Sequence, residues 1–290
     1  MGYAILPTLI PDIEKVYDSY FKAFNGDVMG DIMVKVLFPD GVDSEGFRKT
    51  HTAGTLSWWH HSDSQYTYKC VDTDTGEIVG MALGDIYLKE RGEEERKFQG
   101  VGWLEGAARE RAEAVLKPLH DVREKLFGGR RYIYTHVIAI DPKHQGRKAG
   151  ALWCKWGMDL SDSLGIPMYF ESSPSTYQLY EKMGYETLDE KIVHKAALTG
   201  MAEDIEVPLM VKMPACAGGM TFKEWRSTGY PPLCKVKSGS ATPAANVTSA
   251  KEKIDNGVTM EVQVREVQVE GLVGGTCGDG VLVRATNNTH

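Results

Sequence analysis

An α/β fold, with helices laid on a sheet, is predicted for this 290-residue chain by three observations. The opening YAILPT reads as a strand and runs into PDIEKVYDSYFKAF, where Ile13, Val16, Tyr17, Tyr20 and Phe24 recur at helical spacing and Pro11 suits a first turn. The runs YTYKCVD and EIVGMALGDIYL flank DTDTG, the chemistry of a tight turn between antiparallel strands. A β-rich run, RRYIYTHVIAI, ends at Asp141-Pro142 and passes through a Gly-containing loop into a helix from about Gln145 to Leu164.

The remaining elements follow from the same rules. Residues 31–59 are apolar and aromatic and read as mainly helical. The charged segment 89–127 reads first as a solvated loop and an exposed amphipathic helix, with an acceptor-site insertion as the alternative. After the central helix, MYFESS reads as a strand, SPSTYQLYEKMG as a helix stopped at Gly184, and YETLDE and VPLMVKM as two further strands. These elements make one domain over 1–213. The extension, 214–290, is linker-like through CAGG, PP and KSGSATPAANVTSA, while MEVQVREVQVEGL alternates like a strand and GGTCGDG is turn chemistry, which leaves a terminal hairpin and disorder both open.

Composition narrows the function. An apolar fraction of 42% and a charged fraction of 25% are those of a globular protein with a sizeable core. A formal charge of -7 argues against a nucleic-acid partner, so an anionic ligand needs a local basic pocket. No stretch approaches the roughly 20 apolar residues of a membrane span and no leader is visible, so neither a membrane partner nor export is expected and the cytoplasm is the default location. Cys70, Cys154, Cys216, Cys234 and Cys277 are odd in number, widely spread and without a CxxC pair, the pattern of reduced thiols. His60 and His61 have no partners at ligand spacing, so no metal is expected.

The loop after the central strand carries the chemistry. The first amides of a helix lack internal partners and sit at the positive end of its dipole, so a strand, Gly-bearing loop and helix in succession can bind phosphate. Gly146 and Gly150 permit close backbone approach, and Lys143, His144, Arg147 and Lys148 gather cations in an acidic chain. Neither the GxxxxGK[ST] nor the GxGxxG spacing is present, which removes nucleotide hydrolysis and hydride transfer from the leading readings.

DPKHQGRKAGALW resembles the acetyl-CoA signature of the GNAT superfamily, Q/R-x-x-G-x-G/A, with Gln145 first and Gly150 last, and LYEKMGYE resembles that family's second hallmark, LYEKLGF. The likeness spans residues 3–213 and is shared with uncharacterised fungal members. It departs at Lys148, which stands where the signature has its first Gly, and at Ser173, which stands for a common Asn.

The resemblance implies a central mixed, mostly antiparallel sheet flanked by helices, and an acetyltransferase using acetyl-CoA as donor. It implies that backbone groups of Val137, Ile138, Ala139 and Ile140 bind the pantetheine arm, that amides from Gln145, Gly146, Arg147, Lys148, Ala149, Gly150 and Ala151 hold the pyrophosphate, and that Ser173 offers its hydroxyl. Tyr180 takes the place of the family's general acid, and His136, nine residues before Gln145, that of a histidine base. Glu171 is an alternative base or an anchor for a cationic amine, and Tyr134 alternates onto the His136 face to line the acceptor site. Trp58 and Trp59 are either core or substrate wall. The acceptor expected is a small-molecule amine or hydroxyl compound, met by a monomer or homodimer. The alternatives are a protein N-acetyltransferase and a non-catalytic CoA-binding sensor.

Overall fold

The computed structural model describes residues 2–234 and, beyond them, the backbone of three strands, Val247–Lys253, Thr259–Arg265 and Val283–Arg284. Contacts divide the chain into a unit ending at Cys234 and a second unit from Lys235 onward. In the second unit those three strands form an antiparallel sheet with Thr259–Arg265 in the centre. The strand-like alternation expected from Met260 is therefore present to Arg265. The expected linker KSGSATPAANVTSA, 237–250, is corrected at its end, where Val247 to Ala250 pair as strand, while its residues 237–246 and the turn at 274–280 lie outside the described residues.

The first unit is built on seven strands: β1 (Tyr3–Pro7), β2 (Gln65–Asp72), β3 (Ile78–Tyr87), β4 (Tyr132–Ile140), β5 (Met168–Glu171), β6 (Glu186–His194) and β7 (Ile205–Lys212). Their order is β1-β2-β3-β4-β5-β7-β6, and every pair is antiparallel except β4 with β5, which gives the mixed sheet that was expected. The β2–β3 hairpin turns through DTDTG, where Asp72 accepts from the Asp74 amide at 2.9 Å and Gly76 takes a φ of 74°.

The helices are α1 (Ile13–Phe24), α2 (Val28–Leu37), α3 (Glu45–His61), α4 (Gly106–Leu126), α5 (Ala149–Leu164), α6 (Tyr177–Lys182), α7 (Ala196–Thr199) and α8 (Phe222–Ser227). On one face of the sheet α1 buries Ile13, Val16 and Tyr20, the latter two against Met81, Leu83 and Ala139. On the same face α4 packs Leu126 over Tyr132, Tyr134 and Tyr169. On the other face α5 buries Trp153 and Cys154 against Val79, Ile140 and Ile133, and α6 adds Tyr177 and Tyr180. Gly157 brings α5 close to β5, because a Cβ there would lie 2.7 Å from the Met168 side chain.

Three expectations are revised. The charged segment is only partly solvated, since α4 buries Ala112, Val115 and Leu126 and turns Arg123 toward the sheet. Its charges lie on one face of a helix whose other face is core. The packed body does not stop at 213. Phe222 and Trp225, 1% and 5% exposed, join the cluster with Phe127, Tyr169 and Leu209, and the Tyr230 hydroxyl donates to the Leu126 carbonyl at 2.8 Å. The short helix escaped sequence reading because its capping box, Thr221 with Glu224, is set among Gly and Pro residues. The thiols are not all reduced either. Cys216 and Cys234 form a disulfide across this strap, their Cα atoms 5.4 Å apart, while Cys70 and Cys154 are free and buried. A separation of 18 residues gives no sign of that approach in the sequence. Cys277 lies outside the described residues.

The β3–β4 pairing contains an irregularity that positions the site. Leu83 pairs with Val137 and Gly84 with Thr135, so His136 has no partner on β3 and the strand bulges there. Gly84 allows the close approach: a Cβ would collide with the Tyr134 carbonyl oxygen and with the Tyr66 hydroxyl, which itself bonds Thr135 Oγ1 at 2.8 Å. Gly84→Ala is accordingly expected to cost about 2–3 kcal/mol in urea unfolding, with recovery of neither the native midpoint nor the local β4 amide protection from hydrogen exchange.

Candidate active site

The parallel pairing of β4 and β5 is brief. Ile133 pairs with Met168 and Tyr134 with Tyr169, after which no pairing between these strands occurs among the described residues. Residues 135–140 of β4 therefore face a gap with the backbone on that side unsatisfied by a strand, an arrangement suited to an extended ligand that adds itself to the sheet. This includes Val137, Ile138 and Ala139; the Ile140 carbonyl accepts from the Gln145 side-chain Nε2 at 3.0 Å, and the Gln145 backbone N–H donates to the Pro142 carbonyl.

At the end of β4 the Asp141 side chain accepts from the Lys143 amide at 3.0 Å and starts a tight turn. The chain then passes exposed Gln145, Gly146, Arg147 and Lys148 into α5. Gly146 and Lys148 both have a φ of 71°. Lys148 is left-handed, a geometry that costs a non-glycine residue roughly 1–2 kcal/mol, and no side chain caps the first amides of α5 from this position. Ala149 is buried as an anchor, and a Cβ at Gly146 or Gly150 would meet open space, so nothing crowds the backbone at those two positions. Loop and gap together fit a long ligand with an anionic segment and a thin polar arm. His144 braces the loop: its Nδ1 lies 3.3 Å from the Tyr3 hydroxyl and 4.0 Å from Asp72.

On the α1 and α4 face, the bulge presents His136. Its Nε2 bonds Asp85 Oδ2 at 2.7 Å, and Ser64 Oγ donates to the other carboxylate oxygen at 2.6 Å. Burial pushes the Asp85 carboxyl up, but the His136 hydrogen bond and charge, with Ser64 and Tyr87, outweigh it and hold the group below its ordinary value. Asp85 thus stays ionised and fixes the imidazole by Nε2, while the His136 side chain is 36% exposed. The Tyr134 ring lies 4.2 Å from the imidazole, as the expected shared face requires.

Glu171 is placed differently from a free base. Its side chain is 6% exposed, accepts from the Tyr169 hydroxyl at 2.9 Å and faces Arg123 Nη1 at 3.4 Å. Arg123 Nη1 also donates to the Tyr134 hydroxyl at 2.8 Å. Burial pushes the Tyr134 phenol well above its usual value, with Arg123 opposing and Glu171 adding to the rise, so it stays neutral.

Tyr180 approaches from the opposite face, its ring 4.7 Å from Phe170 and 5.9 Å from Tyr185. Burial, then Cys154 and Asp27, raise its phenol above its ordinary value, so it stays protonated. Ser173 lies at the end of β5, but its hydroxyl is engaged by Asp27 at 3.0 Å, which Ser175 also reaches at 2.8 Å. Trp58 packs against the Met81, Leu83 and Ala139 cluster, whereas His60 and His61 are exposed. Among the described residues no group of three His, Cys, Asp or Glu side chains could hold a metal ion, and no helix is long and apolar enough to cross a membrane.

Sequence reading missed Asp85, Ser64 and Arg123. Asp85 had one available signal, a lone acid within the apolar strand GMALGDIYL; Arg123 had none within a run of charges.

No protein-family model matches the chain. It is 32% identical over 143 residues to the probable acyltransferase SID5 of Ajellomyces capsulatus, covering 49% of this chain and 99% of that protein. A second relative, an uncharacterized N-acetyltransferase of Schizosaccharomyces pombe, is 32% identical over 56 residues, 19% of this chain and 24% of that protein. Similar solved structures include the C-terminal condensation domain of Ebony in complex with beta-alanyl-dopamine (TM-score 0.51, 16% identity, 73% of this chain and 99% of that one) and arylalkylamine N-acetyltransferase 2 of Aedes aegypti (TM-score 0.50, 12% identity, 73% and 99%). The split sheet, the loop that opens α5 and the near-complete coverage of a curated acyltransferase agree: this chain belongs to the GNAT superfamily and is an N-acetyltransferase.

Proposed function

We propose that the chain moves an acetyl group from acetyl-CoA directly to the amine of a small molecule. The observation that carries this reading is the succession of three features along β4 and beyond it: the gap between β4 and β5, the left-handed loop that opens α5, and a His136–Asp85 pair on the strand that borders the gap. Arylalkylamine N-acetyltransferase as the name of a fold neighbour is consistent with a small amine acceptor.

The residues present fit acetyl-CoA, whose chemistry when bound is that of a thioester: its carbonyl carbon accepts the amine nitrogen and its sulfur leaves. The backbone of Val137, Ile138 and Ala139 binds the extended arm by strand-like hydrogen bonds. The amides of Gly146 to Ala151, at the positive end of α5, hold the diphosphate, and Lys143 and Arg147 add charge. His136 Nδ1 takes the proton that the amine loses as the C–N bond forms, and Asp85 stabilises the imidazolium through Nε2. Tyr180 donates its phenolic proton to the sulfur as the C–S bond breaks. Because the strands part between the two faces, base and acid approach the gap from opposite sides of the sheet. Glu171 serves to hold Arg123 and Tyr169, and Ser173 to tie β5 to the α2 cap through Asp27.

Calorimetric titration with acetyl-CoA, followed by thiol release across tyramine, tryptamine, spermidine and an unblocked peptide, tests the reading. Binding with thiol release on a small amine is expected. Absence of binding overturns it, release on the peptide alone moves the acceptor to protein, and binding with no release on any amine leaves a sensor.

Gly150→Asp, which places a carboxylate at the anion site, is expected to weaken acetyl-CoA binding by at least about a hundredfold. Tyr180→Phe is expected to lower kcat about 10- to 100-fold with the acetyl-CoA dissociation constant unchanged. Unaltered turnover in that variant removes the acid assignment. Asp85→Asn, which keeps an acceptor for Nε2 but no charge, is expected to reduce kcat at neutral pH by a similar factor. Since the Asp85 carboxyl lies below its ordinary 3.8, its stabilising contribution is present above that value and disappears only as pH falls through its lower folded value, so a decline in activity between pH 7 and 5 belongs to another group.

A further inference from the structure

The buried cluster of Arg123, Tyr134, Tyr169 and Glu171 is unexplained by the transfer chemistry. We propose that Arg123 is a positioning residue, delivered by the charged insertion to clamp Tyr134 and thereby fix where His136 stands. The inference rests on His136 being the base.

The bulge makes such a clamp necessary. A residue in a regular strand is oriented by its ladder partner, but His136 has none on β3 and lies beside the gap on its β5 side. Its side chain therefore depends on two lateral supports, the Asp85 carboxylate at 2.7 Å and the Tyr134 ring at 4.2 Å. Asp85 is fixed by Ser64. Tyr134 is fixed by Arg123, which donates to its hydroxyl at 2.8 Å while its guanidinium carbon lies 4.0 Å from the ring centroid. One planar fork thus restrains both the tip and the face of the ring, which a lysine ammonium cannot reproduce.

Glu171 completes the clamp by balancing the cation. Side chains of Arg123 and Glu171 are 17% and 6% exposed, and a buried ion pair is a poor device for stability alone, since an apolar pair of the same volume is often as stable. A directional role accounts for keeping charge here. The other basic side chains of α4 are engaged elsewhere: Arg109 on Glu113, Arg111 on the Leu198 carbonyl, Lys117 on Asp121, His120 on the Arg96 carbonyl and Lys125 on Glu190.

The test compares Arg123→Met, Arg123→Lys and Tyr134→Phe in the full chain. Three quantities are read: the imidazole C–H resonances of His136 by NMR, assigned with His136→Asn; kcat and KM for acetyl-CoA with tyramine as acceptor; and the melting temperature. A ring 4.2 Å from the imidazole shifts those resonances, so losing the clamp moves them. Arg123→Met is expected to move them and to lower kcat about 10- to 100-fold with KM for acetyl-CoA within about twofold, as for a misplaced reacting group. Arg123→Lys, which keeps the charge without the fork, is expected to recover stability but not the resonance positions. Tyr134→Phe keeps the ring and a safe fold, and is expected to reproduce a smaller shift in the same direction. Unchanged His136 resonances in both Arg123→Lys and Tyr134→Phe overturn the inference, as does a kcat loss that only follows the melting temperature. Should tyramine prove no acceptor, the resonances decide the matter alone. A wild-type chain that fails to bind acetyl-CoA removes the transferase reading and leaves the clamp to be judged by NMR.

Discussion

The early parting of β4 from β5 sets the terms for everything around it. A parallel pair is usually continued along its length because each unpaired amide buried away from water is costly. Here pairing lasts for two residues, and β5 turns at once to β7 for its other edge. The cost is tolerable where a ligand can complete the ladder, and the left-handed turn at Lys148 opens α5 a few residues after the unpaired stretch of β4 ends. The neighbouring bulge belongs to the same economy of backbone: it takes His136 out of register and leaves its side chain to be held by other side chains.

Those supports come from separate stretches of sequence. Asp85 arrives from β3 and Ser64 from just before β2, Arg123 comes from the long helix α4, and Tyr180, from α6 on the opposite face, is no part of them. The consequence is a site whose geometry is spread over the whole first unit, with few of its determinants near one another in the chain. Two buried carboxylates, Asp85 and Glu171, have separate partners, one the Nε2 of an imidazole and the other a guanidinium. Asp85 engages one ring nitrogen only, so the two acidic groups do not compete for the same side chain.

The sheet, the hairpin and the donor loop were legible because they rest on local signals: helical spacing in α1, turn residues in DTDTG, and strand, Gly-bearing loop and helix in succession after Ile140. What was not legible depends on tertiary approach. Gly84 looks like any strand glycine until the Tyr134 carbonyl is brought against it, and Arg123 is one charge among many until α4 lies on the sheet. Lys148 conceals its left-handed conformation because the surrounding turn imposes it. The pairing of Cys216 with Cys234 likewise needs the strap to fold back on itself.

That strap bears on how the catalytic unit can be divided. Phe222 and Trp225 complete the apolar layer that includes Tyr134 and Tyr169, the residues standing behind the site. A chain ended where the recognisable family pattern ends, at 213, would leave that layer open to water and invite association through it. An inactive fragment of that length would report on missing wall rather than missing chemistry, and the smallest piece worth asking to catalyse reaches Cys234.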